Sequence, residues 1–136
     1  MFYSIGVIRI RRKTVRAFIY CHSTKQFLVV KPPFPFKDYS LPGGGIRKGE
    51  NISEALLREI EEELGFRFSG KVILFLNTIS IKSFLKIFYL ESTVYFFLLI
   101  IDKKPKIFKN WEIRSFIWLD STQVLDYLSK FFTKPY

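Results

Sequence analysis

The 136-residue chain is long enough to form one domain with a hydrophobic core, and too short for several such domains. Its composition, 49% hydrophobic and 25% charged, excludes an intrinsically disordered protein. The formal net charge of +10 is compatible with nucleic acid, a membrane surface or a polyphosphate as partner, although solvated lysines would produce the same excess.

The sequence predicts a soluble cytoplasmic protein. Basic residues within positions 9–16 interrupt the N-terminus too early for the apolar segment of a secretory signal. The single cysteine, Cys21, has no intramolecular partner, which is typical of a reducing compartment. The most apolar stretch, residues 84–101, contains Lys86 and Glu91, and charges are costly in lipid. We therefore interpret this stretch as two buried strands joined by a turn.

Strands dominate the predicted elements. A hairpin is predicted at residues 15–21 and 27–31, around a polar turn in which His22, the only histidine, is solvated rather than catalytic. The proline-rich KPPFPF segment, residues 31–36, predicts a loop because proline lacks a backbone donor. Further strands are predicted at residues 72–81, 85–90, 93–101 and 114–119.

Two helices complete the pattern, one central and one terminal. The terminal helix is capped by Asp120 or Ser121, and its apolar residues at helical spacing are Val124, Leu125, Leu128 and Phe131. Because strands and helices do not alternate regularly, the order predicts an α+β or layered mixed-sheet domain.

The central helix has clear signals at both ends. Asn51 and Glu54 form a capping box, and Gly65 suits the left-handed residue that ends a helix. Its apolar residues recur at helical spacing and predict one buried stripe, formed by Ile52, Leu56, Ile60 and Leu64.

Acidic residues are concentrated in this helix. Six of the chain's 12 acidic residues lie in it or directly before it. Glu59, Glu62 and Glu63 share one face beside the apolar stripe, whereas Glu61 points to solvent. The three carboxylates repel each other near the C-terminal end of the helix dipole, and Arg58 is the only cation in the same turn. A divalent cation that prefers hard oxygen ligands, Mg²⁺ or Mn²⁺, would offset this charge; a solvated acidic face is the alternative.

The glycine-rich turn before this helix and the helix itself resemble the Nudix box over residues 44–66. The matching residues are Gly44, Glu50, Arg58, Glu59, Ile60, Glu62, Glu63, Gly65 and Phe66. The resemblance implies a single Nudix hydrolase domain over residues 1–136, with an α/β/α sandwich around a mixed β-sheet. It also implies hydrolysis of the pyrophosphate bond in a nucleoside diphosphate linked to another group, X.

The resemblance further implies roles for individual residues. Glu59, Glu62 and Glu63 would be Mg²⁺ ligands, with the Gly43 carbonyl as a further one and Mn²⁺ as a substitute ion. Glu50 and Gly44 would support the site, because Glu50 pairs with Arg58 and holds the loop against the helix. The predicted catalytic residues are Glu62, Glu112 and Arg58. The box does not assign the general base, for which Glu62 and Glu112 are the candidates; Glu112 would serve as base or metal ligand, or be an ordinary surface residue.

Substrate contacts are predicted at Lys31, Phe36, Tyr39 and Arg47. Aromatic faces suit stacking on a nucleobase, and cations suit phosphates, although Phe34, Phe36 and Tyr39 would equally pack the loop onto the domain. Other basic residues that suit phosphates, or solvent, are Lys48, Arg9, Arg11 and Arg16.

The LPGGG sequence resembles the nucleotide-pyrophosphatase and ADP-ribose branches of the family. The lysine that often replaces one of these glycines in diadenosine-polyphosphate hydrolases is absent. The expected substrate is a nucleoside triphosphate or related nucleotide, as in MutT-type enzymes, with ADP-ribose as the alternative. Nucleic acid is not the expected partner, but 5′-triphosphate RNA remains open, as does a non-catalytic nucleotide-binding module. We expect a monomer or homodimer without membrane contact.

Overall fold

The computed structural model describes residues 7–31, 38–108, 113 and 115–126. This part of the chain contains six strands: β1 (Ile8–Cys21), β2 (Gln26–Lys31), β3 (Gly43–Gly45), β4 (Val72–Phe84), β5 (Phe88–Ile101) and β6 (Ser115–Leu119). It also contains two helices, α1 (Ile52–Leu64) and α2 (residues 121–126). The predicted site residues Phe36 and Glu112, together with Phe34 and the rest of the proline-rich segment after Lys31, lie outside the described residues.

The strands form one mixed sheet, in the order β4-β5-β1-β2-β6, with the short β3 also paired to β1. β1 and β5 are parallel along their whole lengths, and the other pairs are antiparallel. The predicted α+β class with a mixed sheet is therefore confirmed. In the second half of β1 the side chains of Val15, Ala17 and Ile19 alternate into the core, because successive strand residues point to opposite faces.

The predicted hairpin is confirmed, with one difference. β1 and β2 pair around a turn that holds the exposed His22, as expected. However, β1 begins at Ile8 rather than at residue 15. Its first six residues are exposed and mostly basic, and they belong to the sheet because β5 supplies parallel partners for every one of them.

The prediction of two buried strands at residues 85–90 and 93–101 is wrong. The chain turns at Leu85 and Lys86, which have positive φ angles of 54° and 60°, and then runs as the single strand β5. Glu91 and its polar neighbours resemble a break in the sequence, but they pair with β1 on one side and β4 on the other. Glu91 is tolerated because Arg11 lies 3.2 Å away on β1. The half of this hairpin near the turn is largely exposed.

Helix α1 forms as predicted. The Asn51 side chain accepts a hydrogen bond of 2.8 Å from the Glu54 N–H, and Gly65 ends the helix with a φ of 79°. Leu56, Ile60 and Leu64 are completely buried in the main core, which also contains side chains of β1 and β5. Burial of each such side chain stabilises the fold by about 1.5–3 kcal/mol, which holds α1 on the sheet.

Asp120, not Ser121, caps α2. Its carboxylate accepts from the Gln123 N–H at 2.9 Å, and its own N–H donates to the Gln123 side chain at 3.0 Å. Val124 is buried as predicted, whereas Leu125 is exposed. Leu128 and Phe131 lie outside the described residues. No helix within the described ranges is long and apolar enough to span a membrane.

Candidate active site

The glycine segment forms a strand that lies very close to β1. Gly43 pairs with Arg16 in the β1–β3 register and has a φ of 151°, and a Cβ there would overlap the Val15 carbonyl oxygen. A Cβ on Gly44 would lie 2.5 and 2.6 Å from the two carboxylate oxygens of Glu59. The glycines therefore allow the loop to pack against the sheet and leave room for a helix carboxylate.

Arg58 connects this loop to helix α1. Its Nε and Nη2 donate to the two Glu50 oxygens at 2.7 and 2.9 Å, a bidentate geometry. Nη2 also donates to the Gly45 carbonyl at 2.9 Å, and Nη1 donates to Glu59 at 2.9 Å and to Glu62 at 3.1 Å. Only 17% of the Arg58 side chain is exposed, so solvent screens these contacts weakly.

The electrostatics of the Glu50–Arg58 pair keep both groups charged. Hydrogen bonds from Arg58 lower the pKa of Glu50 to about 2, with a further contribution from the Arg47 N–H at 3.0 Å. The same hydrogen bonds, which Arg58 donates to Glu50, raise the pKa of Arg58 above its ordinary value. The pair is thus a permanent ionic clamp between loop and helix over the whole physiological pH range.

The three carboxylates of the acidic face have different surroundings. Glu63 is buried and accepts a hydrogen bond of 3.1 Å from the Gly43 N–H. The Glu59 side chain is 15% exposed, and that of Glu62 is 38% exposed and also accepts from Arg47 at 3.3 Å. Glu62 is therefore the most accessible of the three to solvent and to a ligand.

Arg16 adds a second guanidinium below the same carboxylates. It donates to the Leu41 carbonyl at 3.0 Å. Burial lowers the pKa of Arg16, and the negative charges of Glu63 and Glu59 oppose that shift. The sequence indicated only that Arg16 suits phosphate or solvent. Its place at the site depends on the pairing of β1 with β3, which is remote in sequence.

The family comparison decides what this arrangement represents. The family model described as "NUDIX domain" matches residues 10–135, nearly the whole chain. The protein is a Nudix hydrolase. The resemblance of residues 44–66 to the Nudix box is therefore confirmed, and the box glutamates belong to a pyrophosphohydrolase domain.

Solved structures of other Nudix proteins share the fold of this hydrolase. The Escherichia coli dihydroneopterin triphosphate pyrophosphohydrolase aligns with a TM-score of 0.70 and 17% identity, covering 85% of this chain and 84% of that one. A MutT protein from Methanosarcina mazei Go1 aligns with a TM-score of 0.68 and 16% identity, covering 90% and 94%. The NUDIX domain of Shewanella oneidensis NrtR, complexed with ADP ribose, aligns with a TM-score of 0.68 and 17% identity, covering 91% and 82%. No curated protein sequence matches the chain.

The box of this Nudix hydrolase has a donor set that suits a divalent cation. Glu59, Glu62 and Glu63 present carboxylate oxygens, the ligands that Mg²⁺ and Mn²⁺ prefer. Across the described ranges, no three His, Cys, Asp or Glu side chains are clustered closely enough to hold a metal ion as they stand. Each of these three carboxylates instead accepts a hydrogen bond from an arginine or from the Gly43 N–H. If Glu62 leaves Arg58, that arginine still has Glu50, Glu59 and Gly45 as partners.

The predicted substrate-binding residues fall into two groups. Arg47 contacts Glu62 and thus lies beside the box. Lys31 and Tyr39 instead contact each other, with the ammonium 5.4 Å from the ring centre, and the Tyr39 hydroxyl lies 3.1 Å from that of Ser115 on β6. These two residues lie near the β2–β6 side of the sheet, where their contacts are with the domain itself.

Proposed function

We propose that this Nudix hydrolase uses Mg²⁺ to cleave the pyrophosphate bond of a nucleoside diphosphate linked to X, with a nucleoside triphosphate or a related nucleotide as preferred substrate. The observation that carries the proposal is that Glu63 and Glu59 lie against Gly43 and Gly44, while Arg58 holds Glu62 beside Glu59. The family match supports hydrolysis of a phosphoric anhydride.

The carboxylates of Glu59, Glu62 and Glu63 would hold the cation, with the Gly43 carbonyl as a further ligand. When bound, Mg²⁺ neutralises phosphate charge and lowers the pKa of a coordinated water. Glu62 also suits the general base, because it is the most exposed of the three carboxylates. Glu112 is the other candidate for this role on sequence grounds.

The basic residues have separate tasks in this proposal. Arg58 stays paired with Glu50 and keeps the loop on the helix, a positioning role. Arg47, with 65% of its side chain exposed beside Glu62, is free to turn toward a substrate phosphate. Positive charge fixed around the phosphates stabilises the charge that spreads over their oxygens during transfer.

The comparisons support two substrate classes, a triphosphate and ADP-ribose. The E. coli relative is named for hydrolysis of a triphosphate, and the Shewanella domain was solved with ADP ribose bound. ADP-ribose pyrophosphatase is therefore the second candidate. A non-catalytic binding module is less favoured, because all the box glutamates are present.

Product analysis separates these candidates. The purified protein is incubated with and without Mg²⁺ on nucleoside triphosphates, oxidised triphosphates, ADP-ribose, diadenosine polyphosphates and triphosphorylated RNA, and the products are resolved by chromatography. The proposal predicts Mg²⁺-dependent release of a nucleoside monophosphate and pyrophosphate from a triphosphate. Monophosphate and ribose phosphate from ADP-ribose alone would assign the second candidate. Absence of turnover on every substrate by folded protein would contradict hydrolysis of these classes.

A further inference from the structure

A row of cations lies on the exposed first half of β1. Arg9, Arg11 and Lys13 occupy every second position of the strand, so their side chains share one face of the sheet. All three are exposed. Neighbours in the row are about 6.6 Å apart along the strand, close to the distance between successive phosphates of an extended nucleic acid. The spacing therefore suits a phosphate backbone that runs along β1.

Aromatic and aliphatic side chains lie beside this row on the same face, together with one acid, Glu91. Tyr89 on β5 pairs in register with Arg9, and Tyr95 lies further along the same strand. Beyond them on β4, Ile79 and Ile81 are 60% and 65% exposed. Across the three strands, the surface thus changes from cationic to aromatic and then to aliphatic. We call this surface the β1–β5–β4 face.

The β1–β5–β4 face continues toward the Nudix box. A cleft of about 570 Å³ lies between β1 and the loop that precedes α1, and Arg11, Lys13, Arg47 and Lys48 contribute to its wall together with Tyr95. Because Arg47 also contacts Glu62, the cleft adjoins the box carboxylates. Cationic side chains therefore line the surface from Arg9 to the candidate active site, with Glu50, the partner of Arg58, also in the wall of the cleft.

One acid lies within the face. Glu91 on β5 is 3.2 Å from Arg11, with 38% and 70% of their side chains exposed. Exposed ion pairs of this kind contribute little to stability, so Arg11 can leave the Glu91 carboxylate and bind a phosphate instead. Because Glu91 would repel that phosphate, removal of the Glu91 charge should increase the affinity for nucleic acid.

We propose that the β1–β5–β4 face binds single-stranded nucleic acid, with phosphates along β1 and bases over Tyr89 and the two isoleucines. Sequence-tolerant binding of single strands combines a cationic track with aromatic stacking platforms, and both are present on adjacent strands here. An inorganic polyphosphate would use only the cations and would leave the aromatic and aliphatic strips without a role. The proposal concerns binding and does not depend on the hydrolase activity.

The test measures fluorescence anisotropy of a labelled RNA of about 12 nucleotides with the 136-residue protein. The RNA carries a 5′-hydroxyl and the buffer contains EDTA, so that no pyrophosphate bond or metal is involved. Affinity is measured between about 50 and 500 mM salt, because each phosphate contact to a single strand adds about 0.7 to the salt slope. A folded protein without salt-dependent RNA binding would overturn the proposal, whatever its hydrolase activity.

Two triple variants, one at each end of the sheet, distinguish RNA binding to the β1–β5–β4 face from general attraction of RNA to a basic protein. Replacement of Arg9, Arg11 and Lys13 by Gln should reduce the magnitude of the salt slope by about 2 and weaken binding about 100-fold at 0.1 M salt. The matched control replaces three exposed lysines at the opposite end of the sheet: Lys25, Lys71 and Lys103. The control should bind RNA nearly as the unmodified protein does. Equal losses in both variants would overturn the proposal.

Two single substitutions test the remaining features of the face. Glu91→Gln should increase RNA affinity, because it removes the repulsion and frees Arg11. Tyr89→Leu should weaken RNA binding about tenfold while leaving competition by inorganic tripolyphosphate unchanged, since only bases stack on the ring. If Tyr89→Leu binds RNA normally, and tripolyphosphate binds as tightly per phosphate as RNA does, the face is a phosphate site and the nucleic-acid assignment is wrong. Circular dichroism confirms the fold of each variant.

Discussion

Replacement of Arg58 by Lys should destabilise the protein although the charge is kept. Arg58 makes five hydrogen bonds, four of them to carboxylates, and its side chain is only 17% exposed. An ammonium cannot reproduce the bidentate contact with Glu50 and cannot reach the Gly45 carbonyl at the same time. Hydrogen bonds to charged groups contribute about 1.5–3 kcal/mol each, and one or two of them would survive. These contributions are not additive, and the pair is only partly buried, so the loss stays below the roughly 3–5 kcal/mol that breaking a fully buried pair costs. We expect the free energy of unfolding to fall by about 2–4 kcal/mol.

Urea unfolding followed by tryptophan fluorescence measures this change. Arg67→Lys is the matched control, because Arg67 makes the same type of contact, at 3.0 Å to Glu61, with 86% and 50% of the two side chains exposed. Exposed pairs contribute about 0.2–1 kcal/mol, so the control should lose less than about 0.5 kcal/mol. Equal, small losses in both variants would refute the conclusion that Arg58 clamps the loop to α1.

Two further predictions concern the loop. Gly43→Ala should lower the free energy of unfolding by at least about 2 kcal/mol, because its positive φ is strained for other residues and the new Cβ would overlap the Val15 carbonyl. Gly45→Ala, where a Cβ meets nothing within 4 Å, is the control in the same urea assay, and equal effects would count against the packing described. The pKa of Glu50 is lowered from 4.5 to about 2, so its stabilising effect is present above pH 4.5 and is lost as the pH falls toward 2. Thermal unfolding should therefore depend less on pH in this window for Glu50→Gln than for the unmodified protein; identical profiles would contradict the Glu50–Arg58 clamp.

Helix α1 could be predicted because its signals are local. The Asn51 cap, the Gly65 terminus and the apolar stripe all lie within the helix or next to it, and the structure reproduces them, although Ile52 in the stripe is only partly buried. The solvent-directed position of Glu61 also followed from the helical repeat, and the structure shows it paired with the exposed Arg67.

The sheet was less predictable because its partners are distant in sequence. The first half of β1 is mostly basic and exposed, so no buried apolar face identifies it as a strand, and only pairing with β5 places it in the sheet. Glu91 was interpreted as part of a break, since its partner Arg11 lies far away in the chain. The real turn contains Leu85 and Lys86 in left-handed conformations, and neither residue type is typical of such a turn.

In the candidate site, as in the fold, the features that depend on local sequence were predictable and those that depend on distant strand pairing were not. The spacing of Glu59, Glu62 and Glu63 followed from the helical repeat, and the need for a compensating cation followed from their mutual repulsion. The contact of Glu63 with Gly43 and the position of Arg16 could not be predicted, because both depend on the packing of β3 against β1. The roles of these residues in metal binding and catalysis stay predictions.

The most direct test of the account compares Glu62→Gln with Glu61→Gln in steady-state hydrolysis at saturating Mg²⁺. The two residues are adjacent in α1, but Glu62 faces the box whereas Glu61 pairs with an exposed arginine. If Glu62 acts at the catalytic centre, kcat/KM of Glu62→Gln falls by at least about 100-fold, the scale of a general-base contribution. Glu61→Gln should stay within about twofold of the unmodified protein, as for other surface substitutions. Full activity of Glu62→Gln would contradict the assignment of this carboxylate face as the catalytic centre.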